Sequence, residues 1–121
     1  MKAFLVKHAT WDEAFGYRFD TATRSIVISG DTAPTPAIVQ ACNGCDVLVH
    51  EVYCNGGGGA YFKAAHTSAS ELADIAKQAK PKLLVLYHQL FNGGCSDQTL
   101  LQQVQQNYPG KVVSAKDLDV F

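Results

Sequence analysis

Four apolar runs in this sequence end on groups that can bind metals or move protons. His8 follows Phe4-Leu5-Val6, Asp31 follows Ile26-Val27-Ile28, His50 and Glu51 follow Val47-Leu48-Val49, and His88 follows Leu84-Val85-Leu86. His66, in Ala65-His66-Thr67-Ser68, stands just ahead of a helix start, where a helix amino terminus favours anions. A single histidine at a strand end is ordinarily a packed core or turn residue, and Gly30-Asp31 shortly before Pro34 is common turn chemistry. Several imidazoles converging with a carboxylate at one edge of a sheet fit a metal or acid–base site better, because these are the side chains that hold Zn²⁺, Mn²⁺ or Fe. The place is also right, since ligands of open α/β sheets bind beyond the carboxyl ends of the strands.

These groups need a sheet behind them. Residues 3–6, 16–20 and 25–28 read as strands, the last two as an antiparallel pair, and 46–49 and 83–86 read as buried strands. Residues 111–113 and 118–120 are expected to finish the sheet. Three helices are marked by their caps. Thr35 with Pro36 starts one that Gly44 ends, and Ser68 with Glu71 forms a capping box ahead of Leu72, Ile75, Ala76 and Ala79. Ser96 caps a helix that turns Leu100, Leu101, Val104 and Tyr108 to the core. Gly56 to Gly59 read as a flexible loop, because each glycine loses much backbone entropy on ordering.

With 121 residues, 47% of them hydrophobic and 17% charged, the chain has material for one core, so residues 1–121 are expected to form a single domain. Ten Lys and Arg against eleven Asp and Glu leave no cationic excess for a polyphosphate backbone, which argues against nucleic acid as a partner. No apolar run reaches membrane-spanning or signal-peptide length, so a soluble, cytoplasmic protein is expected. In that setting Cys42, Cys45, Cys54 and Cys95 are expected as thiols. Cys42-Asn-Gly-Cys45 has the spacing of a zinc knuckle or redox pair, but no second such pair completes four ligands. A helix end with Gly44 after the last turn and Cys42 packed as a small hydrophobe accounts for the same residues.

The order of motifs resembles the carboxyl-terminal half of metallo-β-lactamase-fold hydrolases, closest to the ribonuclease Z-like branch. The resemblance runs through "HATWDEAFGYRF", "SGDT", "HEVY", "AHTS" and "LLVLYHQ", in the family's order along the chain. It implies an α/β fold, half of an αββα sandwich, with one mixed β-sheet covered by helices on one face. It also implies that His8 binds one metal, His88 the other, and that Asp31 bridges both. Glu51 and His66 would then form the catalytic pair, His66 as proton donor or charge stabiliser and Glu51 orienting it.

The family's principal metal motif, His-x-His-x-Asp-His, does not occur in this sequence. By the resemblance one metal would have only His8 and Asp31, and the other only Asp31 and His88, fewer than the three protein ligands normal for catalytic zinc. The expectation is a hydrolase-like half-domain, inactive alone, acting on a phosphoester or ester when a partner supplies the missing ligands. The alternative is a non-catalytic, self-associating domain with a relict metal site. Zn²⁺ or another divalent transition metal would be bound weakly or be absent. A second copy or a complementary amino-terminal half is the expected partner, because half a sandwich leaves an apolar sheet face in water. Gln89-Leu90-Phe91 after His88 departs from the small polar residues of transfer-RNA processors, which argues against that substrate.

Overall fold

The computed structural model describes residues 1–121. Six strands lie in the order of the sequence: β1 (Lys2–Leu5), β2 (Phe15–Asp20), β3 (Ser25–Ile28), β4 (Val47–Tyr53), β5 (Leu83–Leu90) and β6 (Val112–Ser114). The first three pair antiparallel and the last four parallel, so the sheet is mixed. Parallel neighbours need crossovers, and these are made by α1 (Pro36–Cys42), by α2 (Ala60–Ala65) with α3 (Ala69–Ala79), and by α4 (Asp97–Gln105). The fold is α/β, as the motif order implies.

Sheet register decides which face is covered. Val27, Leu48, Leu84 and Val112 stand opposite one another across four strands and are buried beneath α1, α3 and α4. Ile38, Leu72, Ile75, Leu100 and Val104 come down from those helices to close the core. The opposite face carries the alternate residues, among them Leu5, Phe15, Tyr17 and Phe19, all exposed, with Ile26, Ile28, Val47 and Val49 half-buried beside them. One face of the sheet is therefore packed and the other is apolar and largely open.

The caps fall where the sequence puts them. Thr35 Oγ1 accepts the Ala37 N–H, Ser68 and Glu71 close a capping box, and Ser96 Oγ accepts the Thr99 N–H. Asn43 takes the left-handed position that ends α1, and Gly44 follows in the same region.

Four expectations change. Residues 118–120 form no strand: Leu118 and Val120 are almost wholly exposed, and the sheet ends at β6. β4 and β5 run on past their apolar cores, through His50-Glu51 and Tyr87-His88, so these residues lie inside strands. Helix α2 follows the glycine run directly; at six residues it is too short for periodicity to reveal. The cysteines are disulfides: Cys42 is joined to Cys45 and Cys54 to Cys95, with Cα atoms 4.7 and 6.5 Å apart. Chain geometry sets these pairings. The left-handed Asn43-Gly44 turn folds Cys45 back under Cys42, and the end of β4 meets the segment leading into α4.

Candidate functional site

Asp31 leaves the end of β3 through Gly30, whose φ of 64° carries the chain sharply out of the strand past the Phe15 carbonyl. His8 follows β1, His66 caps the carboxyl end of α2, Glu51 lies within β4 and His88 within β5. All five meet at the carboxyl edge of the parallel strands.

Helix α2 holds two of them. His8 Nδ1 lies 2.9 Å from the Ala65 carbonyl, which can only accept, so Nδ1 carries the proton and Nε2 keeps the lone pair. The Ala9 N–H donates to the Ala64 carbonyl at 2.8 Å, strapping the turn after β1 to the same helix. His66 Nδ1 lies 3.0 Å from Glu51 Oε1, which also accepts the Thr32 N–H at 2.9 Å. Both imidazoles thus have Nδ1 engaged on an oxygen, the arrangement that fixes a metal-ligating histidine's ring and tautomer.

Ligand atoms of His8, Asp31 and His66 lie within 4.8 Å of one another. The resemblance groups His8, Asp31 and His88 as ligands and sets His66 apart. In the structure His66 joins His8 and Asp31, while His88 reaches the group through Asp31, its Nε2 3.3 Å from Asp31 Oδ2. Two imidazoles and a carboxylate within reach of one point, with ring nitrogens already oriented, fit a divalent transition metal. His50 takes no part: it is wholly buried and turned away, with Nδ1 on the Glu51 carbonyl at 2.7 Å.

Glu51 is also wholly buried, and its Oε2 has no partner among protein atoms. Burial pushes its carboxyl up to about 8, against the opposing pull of the Thr32 and Thr67 N–H groups. Burial likewise lowers His66, and His8 and His88 lower it further, while Asp31 raises it. Both members of the pair are driven towards neutrality, so near pH 7 their contact is a hydrogen bond between neutral groups.

Several supports carry no signal in the sequence. Thr32 is the pivot of the site loop, with its N–H on Glu51, its Oγ1 accepting the Lys7 N–H at 3.1 Å, and its carbonyl accepting Thr67 Oγ1 at 2.6 Å. Trp11 stands edge-on to His8 at 5.7 Å between ring centres and is 66% exposed, and Tyr61 flanks His8 at 6.5 Å. Trp11 and Tyr61 are single aromatic residues in loop and short helix, so no periodic pattern marks them.

A mixed sheet with helices on one face and a His/Asp/His cluster at its carboxyl edge defines a metallo-β-lactamase-type α/β chain. The family comparison agrees: residues 1–89 match the beta-lactamase superfamily domain, and the chain belongs to that family. Its relatives include ribonuclease Z from Myxococcus xanthus, 37% identical over 95 residues, covering 78% of this chain and 31% of the relative. Ribonuclease Z from Haloarcula marismortui is 35% identical over 95 residues, covering 78% of this chain and 30% of the relative. The chain thus spans about a third of the length of these relatives. Among solved structures, the metallo-beta-lactamase fold protein YhfI from Bacillus subtilis superimposes with a TM-score of 0.78 at 21% identity, over 92% of this chain and 45% of that one. Human tRNase Z, short form, gives a TM-score of 0.57 at 23% identity, over 87% of this chain and 35% of that one.

Proposed function

We propose that this chain contributes the carboxyl-terminal part of a metal-dependent hydrolase site acting on a phosphoester or ester, and that the remaining metal ligands come from a segment bearing His-x-His-x-Asp-His. The observation that carries this reading is the meeting of His8, Asp31 and His66 at the edge where Glu51 and His88 also stand. Ribonuclease Z relatives support hydrolysis as the class of reaction.

His8, Asp31 and His66 would hold the ion, with His88 beside Asp31. A divalent metal there supplies polarisation of the substrate and activation of water. The chain's own residues do the rest. Glu51 fixes the His66 ring through Nδ1, and the Thr32 N–H fixes Glu51 in turn. Nδ1–H groups on His8 and His66 keep both Nε2 lone pairs facing the cluster rather than the backbone. His88, outside the ligand set with its Nε2 3.3 Å from Asp31 Oδ2, is the imidazole placed to pass a proton to a departing oxygen. Three protein groups in this chain leave the metal centre short of the full family set, so the chain alone is a poor catalyst.

The partner that completes the site also has an apolar sheet face to cover, running from Leu5, Phe15 and Tyr17 to Val49. A complementary segment would meet both needs at once. A second copy would cover the face without supplying the motif, which is the non-catalytic reading; the open apolar face is the observation that favours it.

The test is hydrolysis of bis(4-nitrophenyl) phosphate with added Zn²⁺, by the chain alone and by the chain co-expressed with a His-x-His-x-Asp-His segment. The reading expects background rates for the first and turnover for the second, lost in Asp31→Ala. Background rates for a co-purified, zinc-loaded pair would refute it.

A further inference from the structure

Strict alternation along β5 would send His88 to the same side as Leu84 and Leu86, under the helices. It does not go there. Glu51 stands opposite Tyr87 and Val52 opposite Gln89, so His88 is an extra residue in β5, and its φ of 40° turns the chain at that point. The bulge re-aims the side chain to the site, where Nε2 lies 3.3 Å from Asp31 Oδ2. A left-handed histidine in a strand is strained, and something beside it must hold the irregularity in place.

His50 is the side chain at that point which makes no contact with the site. It faces the helix-covered side in register with Leu86, two residues on from the buried Leu48, and is itself wholly buried. Its Nδ1–H donates at 2.7 Å to the carbonyl of Glu51, the last residue before the register shift. Its Nε2 is left in the core without a hydrogen-bond partner. An apolar residue of similar size would fill the same space without an unpaired acceptor, so packing alone gives no reason for an imidazole there. The one thing His50 does that Leu could not is hold the Glu51 carbonyl.

We infer that His50 is a positioning residue: its hydrogen bond to the Glu51 carbonyl fixes the β4–β5 register shift and so sets both His88 beside Asp31 and the Glu51 side chain beside His66. The consequence for metal affinity rests on the metal-site reading above; the hold on the bulge does not. The effect resembles that of the outer partners of metal ligands, whose loss ordinarily costs tenfold or more in affinity.

Two readouts test this on the whole chain. In metal-free protein, amide hydrogen exchange across residues 87–90 is compared with that at 84–85 for wild type, His50→Leu and His50→Asn. His50→Leu should speed exchange at 87–90 by at least tenfold, leave 84–85 unchanged, and leave the urea midpoint equal or higher. His50→Asn, which keeps a donor on a short side chain, should restore much of the protection. In the second readout, zinc affinity should fall at least tenfold in His50→Leu and recover in part in His50→Asn. Unchanged exchange at 87–90 in His50→Leu overturns the inference. A Leu variant that fails to fold, or that loses protection evenly throughout, also overturns it, because His50 would then be an ordinary core residue. Absence of zinc binding in the wild type would refute the metal-site reading instead, and the exchange measurement would still decide the role of His50.

Discussion

His66 Nδ1 lies 3.0 Å from Glu51 Oε1, and the carboxyl is wholly buried while the other oxygen of the same group has no partner. Burial holds Glu51 near 8 against an ordinary value of 4.5, so the folded protein keeps a proton that the unfolded chain has lost. Between those values the native state holds this proton and the unfolded state does not, so the Glu51 contribution to stability falls as pH rises from about 4.5 to about 8. Glu51 alone takes a few kcal/mol from the metal-free protein across that window, since each tenfold fall in proton concentration there costs the protonated native form ~1.4 kcal/mol. Urea unfolding at several pH values should show this alkaline slope in wild type and a flatter one in Glu51→Gln.

His50 sets the acid side by the same reasoning with the opposite sign. Burial lowers its imidazole from 6.5 to about 4, the Glu51 carbonyl opposing this only in part. The unfolded chain therefore takes up the proton first, and the His50 contribution is lost as pH falls from about 6.5 towards about 4, offsetting the Glu51 slope where the two windows overlap. In His50→Leu the offset should disappear, so that stability in the same urea series falls with rising pH from about 4.5 onward. A slope unchanged by the substitution would mean that another group controls acid unfolding.

Left-handed backbone at His88 gives a prediction separable from its side chain. His88→Ala and His88→Gly both remove the imidazole, but only glycine adopts a φ of 40° without crowding Cβ. The Gly variant should be the more stable by about 1 kcal/mol, seen as a higher melting temperature. Equal stability would mean that the bulge relaxes once the ring is gone.

The Cys54–Cys95 disulfide closes a loop of 41 residues and ties the end of the site-bearing strand β4 to the segment before α4. A loop of that length contributes about 4 kcal/mol on the chain-entropy account. Cys42–Cys45 spans three residues and constrains the unfolded chain far less. Thermal melts with and without dithiothreitol should show a large loss on reduction, and Cys42→Ser with Cys45→Ser should keep most of it.

Much of this fold can be read from residue order because its signals are local. Thr35-Pro36, Ser68 with Glu71, and Ser96 each satisfy helix N–H groups by themselves, and the short β-branched and apolar runs 26–28, 47–49 and 83–86 read as strands. The edge at which Asp31, Glu51 and His88 gather follows from those strands. What escapes such a reading depends on contacts distant in sequence. Helix α2 is a single short segment whose importance lies in two carbonyls, Ala64 and Ala65, that receive the turn around His8. His66 joins His8 and Asp31 because α2 ends where it does, and the extra residue at His88 is a matter of strand register that no alternation pattern encodes. The disulfides escape for a different reason: an inferred compartment speaks only to whether thiols persist, whereas Cα separations decide which of them can pair.

Zinc titration by calorimetry, in wild type, Asp31→Ala, His66→Ala and Glu51→Gln, tests the central claim most directly, because Asp31 is the group that both His8 and His66 share and that His88 touches. The account predicts one weak site per chain, lost in Asp31→Ala and His66→Ala, little changed in Glu51→Gln, whose amide oxygen still accepts the His66 Nδ1–H, and fading with acid as the imidazoles protonate. Equal affinity in wild type and Asp31→Ala would contradict it.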